Sequence, residues 1–157
     1  QYYYLNMFKK ILICALLSII LSSCGYVSIY KGAGEFSYRI LVTEISGDRD
    51  MGILINTKLK RYSKIKSDKK FEVAVNTKYQ KNIIAKDTAG KASDYQIKVE
   101  STFNVKSEKL NKKIKITETF NVKSLDDKFE EQRYDAIIKD NIANKIIKKL
   151  TLQLSRN

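Results

Sequence analysis

The chain of 157 residues carries 30 Lys and Arg against 17 Asp and Glu, a net charge of +13, with no His, Pro or Trp and two Cys. Without His and with so few thiols, the usual zinc sites, serine or cysteine triads and imidazole acid–base chemistry are closed to it. The basic excess suits an anionic partner such as nucleic acid, a lipid surface or a phosphorylated glycan, although richness in Ile, Asn and Tyr also matches the codon usage of an AT-rich genome.

Met7 is the sensible start, which makes Gln1 to Asn6 upstream translation. Lys9 and Lys10 then precede an apolar run from Ile11 to Leu21, followed by Leu21-Ser22-Ser23-Cys24. A run of about a dozen apolar residues is short of the roughly 20 that span a bilayer, and small residues follow it at once. This is the layout of a bacterial lipoprotein signal peptide, whose cysteine takes up a diacylglyceryl group before cleavage. Three segments are therefore expected: residues 1–23 as leader, 24–35 as an acylated tether beginning at Cys24, and 36–157 as one domain. Loss of Lys9 and Lys10 lowers the net charge from +13 to +11. Cys14 leaves with the leader and Cys24 is consumed by lipid, so no thiol remains for a disulfide, a metal or catalysis. Gly25 rather than Asp after the modified cysteine fits retention in the outer membrane, with the domain facing the periplasm.

Phe36 to Ile45 reads as a strand, with Phe36, Tyr38, Ile40 and Val42 on one parity, Leu41 and Ile45 on the other, and burial on both faces. Ser46-Gly47-Asp48 breaks it, and Asp48 or Asp50 can cap the next element. From Met51 to about Ile65, apolar residues at three- and four-residue steps (Met51, Leu54, Ile55, Leu59, Tyr62, Ile65) mark a helix lying on a sheet. A long strand runs from Phe71 toward Ala85 and ends in the turn signal Lys86-Asp87-Thr88-Ala89-Gly90-Lys91. In the next strand Tyr95, Ile97, Val99, Phe103 and Val105 face a core, while Gln96, Lys98, Glu100, Thr102, Asn104 and Lys106 face water. Ile114, Ile116, Phe120 and Val122 repeat the alternation after Asn111-Lys112, as the second arm of a hairpin. The hexapeptide Thr-Phe-Asn-Val-Lys-Ser occurs at 102–107 and 119–124, a match that biased composition explains. Ser124 with Asp127 resembles a capping box, opening a helix to about Leu154 with Ala136, Ala143, Ile147, Leu150 and Leu154 inward. The order β-α-β-β-β-α predicts an α+β, two-layer sandwich: a four-stranded mixed sheet with two helices packed on one face.

The lipobox, the short tether, this order of elements and the segment from Ala85 to Ile97 together resemble the LptE family, lipopolysaccharide-assembly lipoproteins of the Gram-negative outer membrane. In that family the turn before the third strand carries an Asp, a Gly and then an aromatic residue, here Asp87, Gly90 and Tyr95. The late helix, with Asp135, Ala136 and a run of Ile and Lys, is similar too, and the likeness spans Cys24 to Leu154. The resemblance implies a non-enzymatic role with no cofactor: a plug inside the LptD β-barrel that assists its assembly and contacts lipopolysaccharide as it enters the outer leaflet. It places the ligand contacts on basic residues, nearest here to Lys86, Lys91 and Lys128, since lysine meets phosphate as a point charge.

The same features fit an accessory lipoprotein of another envelope transport complex, because a fold does not fix a function. A carboxylate enzyme built on Asp48 and Asp50, or Asp126 and Asp127, is disfavoured, since both pairs flank helix starts where capping accounts for them. Export of the chain argues against nucleic acid as its partner.

Overall fold

Asp48 fixes the first turn of the domain: its carboxylate accepts the Met51 amide at 2.9 Å, which starts helix α1 (Arg49–Ser63) right behind strand β1 (Arg39–Gly47). The structure, a computed structural model, describes residues 38–156, so Cys24, the expected leader and tether, and Phe36 of the expected first strand lie outside the described residues. Strands β2 (Lys70–Lys86), β3 (Ala92–Ser107) and β4 (Leu110–Lys123) come next, and helix α2 (Lys128–Ser155) completes the order. The sheet runs β1-β2-β3-β4, with β1 parallel to β2 and the other pairs antiparallel. The fold is the predicted α+β two-layer sandwich, a mixed four-stranded sheet with both helices on one face.

Strand alternation explains why one face takes both helices. Val75, Phe103 and Ile114 stand in rank across β2, β3 and β4 and are buried, as are Thr77, Ser101 and Ile116. The hydroxyls of Thr77 and Ser101 lie 3.3 Å apart, so each has a partner within the core. Intervening residues such as Asn76, Asn104 and Lys113 face outward. Glu118 is the one buried acid on the core side of the described sheet, and Lys149 of α2 pairs with it. The two helices are tied to each other by Lys58 and Asp140.

Three expectations are corrected. Burial on both faces of β1 does not occur: a bulge between Val42 and Glu44 resets the parity, bringing Ile45 opposite Val75 on the helix face, where it is still 40% exposed. Ser124 caps nothing. Its amide donates to the Ser93 carbonyl at 2.7 Å, while Asp127 is the cap, accepting the Phe129 and Glu130 amides at 2.7 and 3.2 Å. Ala136 shares the angular stripe of Ala143 but faces an open groove between the helices lined by Ile53, Leu54, Thr57 and Lys139, and it is exposed. The inner face of α2 is instead carried by Ile138, Ile142, Ala143, Ile146, Ile147 and Leu150, continuing to Leu154.

Tyr38, 2% exposed, reaches from just before the first strand to the last helix and donates its hydroxyl to the Thr151 carbonyl at 2.9 Å. Burial pushes its phenol up from 10.0 to about 12, with repulsion from Tyr62 adding to the rise. The native state thus holds a proton that the unfolded chain releases near pH 10.0, so stability is full below that pH and falls as the pH climbs toward about 12. A shift of this size corresponds to at most about 2–3 kcal/mol. Urea midpoints measured from pH 9 to 12 are expected to fall less steeply in Tyr38→Phe, which loses about 1 kcal/mol at neutral pH for the missing hydrogen bond. Parallel curves for the two proteins would rule out Tyr38 as a source of the alkaline loss.

Candidate functional site

The turn between β2 and β3 is built by Asp87. Its carboxylate accepts the Ala89 and Lys91 amides at 2.9 and 2.8 Å, and its backbone carbonyl accepts the Gly90 amide at 3.0 Å. Gly90 has φ +81°, a conformation that side chains disfavour. Asp87 and Gly90 are therefore turn-forming residues. Tyr95 is half-buried against the core, with the Lys81 ammonium 4.6 Å from its ring centre.

This turn meets the loop before α2. The Ser124 amide bonds to Ser93, and the Lys91 ammonium lies 3.0 Å from an Asp126 carboxylate oxygen. The hydrogen bond to Asp126 holds the Lys91 ammonium above its usual range, and the charge of the same carboxylate adds to the effect. Two regions far apart in sequence thus share one end of the molecule. Lys86 closes β2 opposite Ala92, Lys91 stands in the turn and Lys128 is the first residue of α2; all three are exposed. Neither Lys86 nor Lys128 has an ion pair among the described residues. A cation at the first helical position opposes the helix dipole, at a cost of about 0.3–1 kcal/mol, so local stability does not explain Lys128.

Apolar side chains that the sequence pattern did not single out stand at the same end. Ile83 is 53% exposed and Phe129 67% exposed, and Ile84 and Leu125 are exposed as well. Their signal was present: the Ile83-Ile84 doublet breaks strict alternation, and Leu125 and Phe129 sit among acids ahead of any helical stripe. Cations beside exposed apolar surface can hold an amphiphile with an anionic head. A concavity of about 800 Å³ lies at the far end of the sheet between Lys70, Glu72, Lys106 and Lys109, away from these lysines.

The carboxylates once open to an enzymatic reading are engaged structurally. Asp48 caps α1, Asp127 caps α2, Asp126 pairs with Lys91, and Asp50 lies 3.7 Å from Lys139. Among the described residues no group of three or more acids stands together for a metal, and no helix is long and apolar enough to cross a membrane.

No protein-family model and no curated protein matches the chain. Solved structures do. Rare lipoprotein B from Shewanella oneidensis superposes with a TM-score of 0.50 at 12% identity, covering 73% of this chain and 98% of its own. A Caulobacter crescentus protein described as a lipoprotein gives a TM-score of 0.53 at 12% identity, covering 79% of this chain and 91% of its own. At such identity the likeness is one of fold: the domain shares the architecture of these two proteins.

Proposed function

We propose that the protein is an LptE-like outer-membrane lipoprotein, acylated at Cys24, that plugs and assists assembly of an LptD-like β-barrel and helps deliver lipopolysaccharide to the outer leaflet. The observation that carries this reading is the meeting of the β2–β3 turn with the start of α2. It presents Lys86, Lys91 and Lys128 together with exposed Ile83, Ile84, Leu125 and Phe129. A glycolipid with phosphates and acyl chains needs both kinds of surface. The fold shared with rare lipoprotein B supports the same reading, as does the lipobox.

The decisive experiment is capture of the acylated protein from envelope membranes, with recovery of a large β-barrel protein expected. Capture of a different envelope complex with no barrel favours the accessory-lipoprotein alternative. Glycolipid contact has its own test. Replacing Lys86, Lys91 and Lys128 together by Glu is expected to weaken lipopolysaccharide binding at low salt by about 100-fold, at about 1 kcal/mol per lysine near an anionic surface. Asp126→Asn, which releases Lys91 from its partner, is expected to tighten binding a few-fold and to steepen its salt dependence. Titrations unchanged in both variants would remove this end of the molecule from the ligand site.

A further inference from the structure

We propose that the upper half of β2 is a docking edge that accepts one extended segment of a partner protein as an added strand, a segment alternating apolar with acidic side chains. This edge meets the proposed glycolipid surface at Ile83, but it rests on the backbone groups of β2, which that reading does not use.

The first two strands differ in length. β1 pairs with β2 only as far as Gly47 opposite Thr77, whereas β2 continues to Lys86 and β3 accompanies it on the other side to Ala92. After Gly47 the chain turns away, with the Asp48 amide donating to the Thr77 carbonyl at 2.6 Å before α1 begins. Among the described residues no strand pairs with 78–86 on the β1 side. Backbone groups alternate in direction along a strand, and the Thr77 carbonyl points to this side. The N–H and C=O groups of Tyr79, Lys81 and Ile83 therefore point there as well. Three donors and three acceptors in extended conformation are a template for strand addition.

The side chains along the edge choose the occupant. On the core face an added strand meets Tyr79 and the exposed Ile83, and apolar residues pair best with these. Lys81 between them is already held by Glu131 at 3.3 Å and Asp135 at 3.8 Å, so it adds no free charge. On the outer face the strand meets Lys78, Gln80 and Asn82, with Lys98 in the next strand opposite Gln80. Acidic or hydroxyl side chains complement that row. A second copy of this chain is a poor occupant, because two copies that each carry a net charge of +13 repel one another. The other sheet edge, β4, is guarded differently, with exposed Lys112, Lys113 and Lys115 along it.

The test is hydrogen exchange of the full chain with and without a blocked peptide alternating Val and Glu. The amides of Tyr79, Lys81 and Ile83 are expected to exchange at least tenfold more slowly with the peptide. Methylating one alternate set of peptide nitrogens should abolish that protection, and methylating the other set should leave it. Ile83→Pro, which removes an outward-pointing donor and no ladder bond, should lose the protection with thermal melting preserved; if that variant does not fold, the methylated peptides on the native chain decide alone. Binding without protection of these amides, equal sensitivity to both methylation patterns, or equal binding of a Val–Lys peptide would each overturn the proposal. So would concentration-dependent protection without any peptide, which would make a second copy the occupant.

Discussion

Gly47→Ala is expected to cost about 4 kcal/mol, a large share of the 5–15 kcal/mol that stabilises a typical domain. Gly47 sits at φ +88°, and a Cβ there would lie 2.0 Å from the Thr77 carbonyl oxygen and 2.9 Å from its carbon. Both atoms are backbone, so no rotamer change relieves the clash. The left-handed conformation alone costs a residue with a side chain about 1–2 kcal/mol. Displacing Thr77 also breaks its bond to the Asp48 amide, which costs about 1–3 kcal/mol more if the groups stay buried. Gly90→Ala is the matched control. It has a similar φ of +81° but nothing within 4 Å of the added carbon, so only the conformational part, about 1 kcal/mol, should be lost. Urea denaturation of the two variants checks this; equal losses would show that the contact with Thr77 does not matter.

Cys24→Ser is expected to move the protein from the membrane fraction to the soluble periplasmic fraction almost completely. Each buried methylene of an acyl chain contributes about 0.8 kcal/mol, so the two chains of a diacylglyceryl group give stable anchoring that a variant lacking them loses. Serine keeps the size of the side chain and removes the thiol on which the proposed acylation depends. Lysines alone can hold a protein weakly to anionic headgroups, so the fractionation is run at high salt, where that attraction is screened. Mass spectrometry of the wild-type N-terminus provides the second readout, with an acylated Cys24 as its first residue. An unmodified chain that continues upstream of Cys24 would remove the anchor and the envelope address with it.

Much of this fold could be read from residue order because alternation is unambiguous where one side of a strand is buried. In β3 the predicted inward row of Ile97, Val99, Phe103 and Val105 is the buried row. Asp48 was legible as a cap since it comes after a break and precedes a helical stripe. What was not legible arose from tertiary context. The bulge at Val42 adds one residue to β1, and nothing in Leu-Val-Thr-Glu announces it. Ser124 and Asp127 both carry capping side chains, and the strand-like bond of Ser124 to Ser93 decided between them. Ala136 obeys helical periodicity, yet its methyl is too short to close the space beside Ile53 and Leu54. For the functional end, charge drew attention to three lysines. Their nearness to Leu125 and Phe129 depends on a loop folding back on the turn, which no local pattern encodes.

Since α2 supplies the inner lid from Ile138 to Leu154, and its Thr151 receives the bond from Tyr38, the interior closes only when the final element arrives. A chain threaded through a translocation channel amino end first would emerge with its β-layer complete and only α1 covering its greasy side. Such an intermediate is sticky and rich in sequence-distant pairings, which slow collapse. Chaperones that shield emerging chains should therefore matter more for this protein than its modest size suggests, and a protease nick anywhere between Ile138 and Leu154 would turn it into an aggregating species.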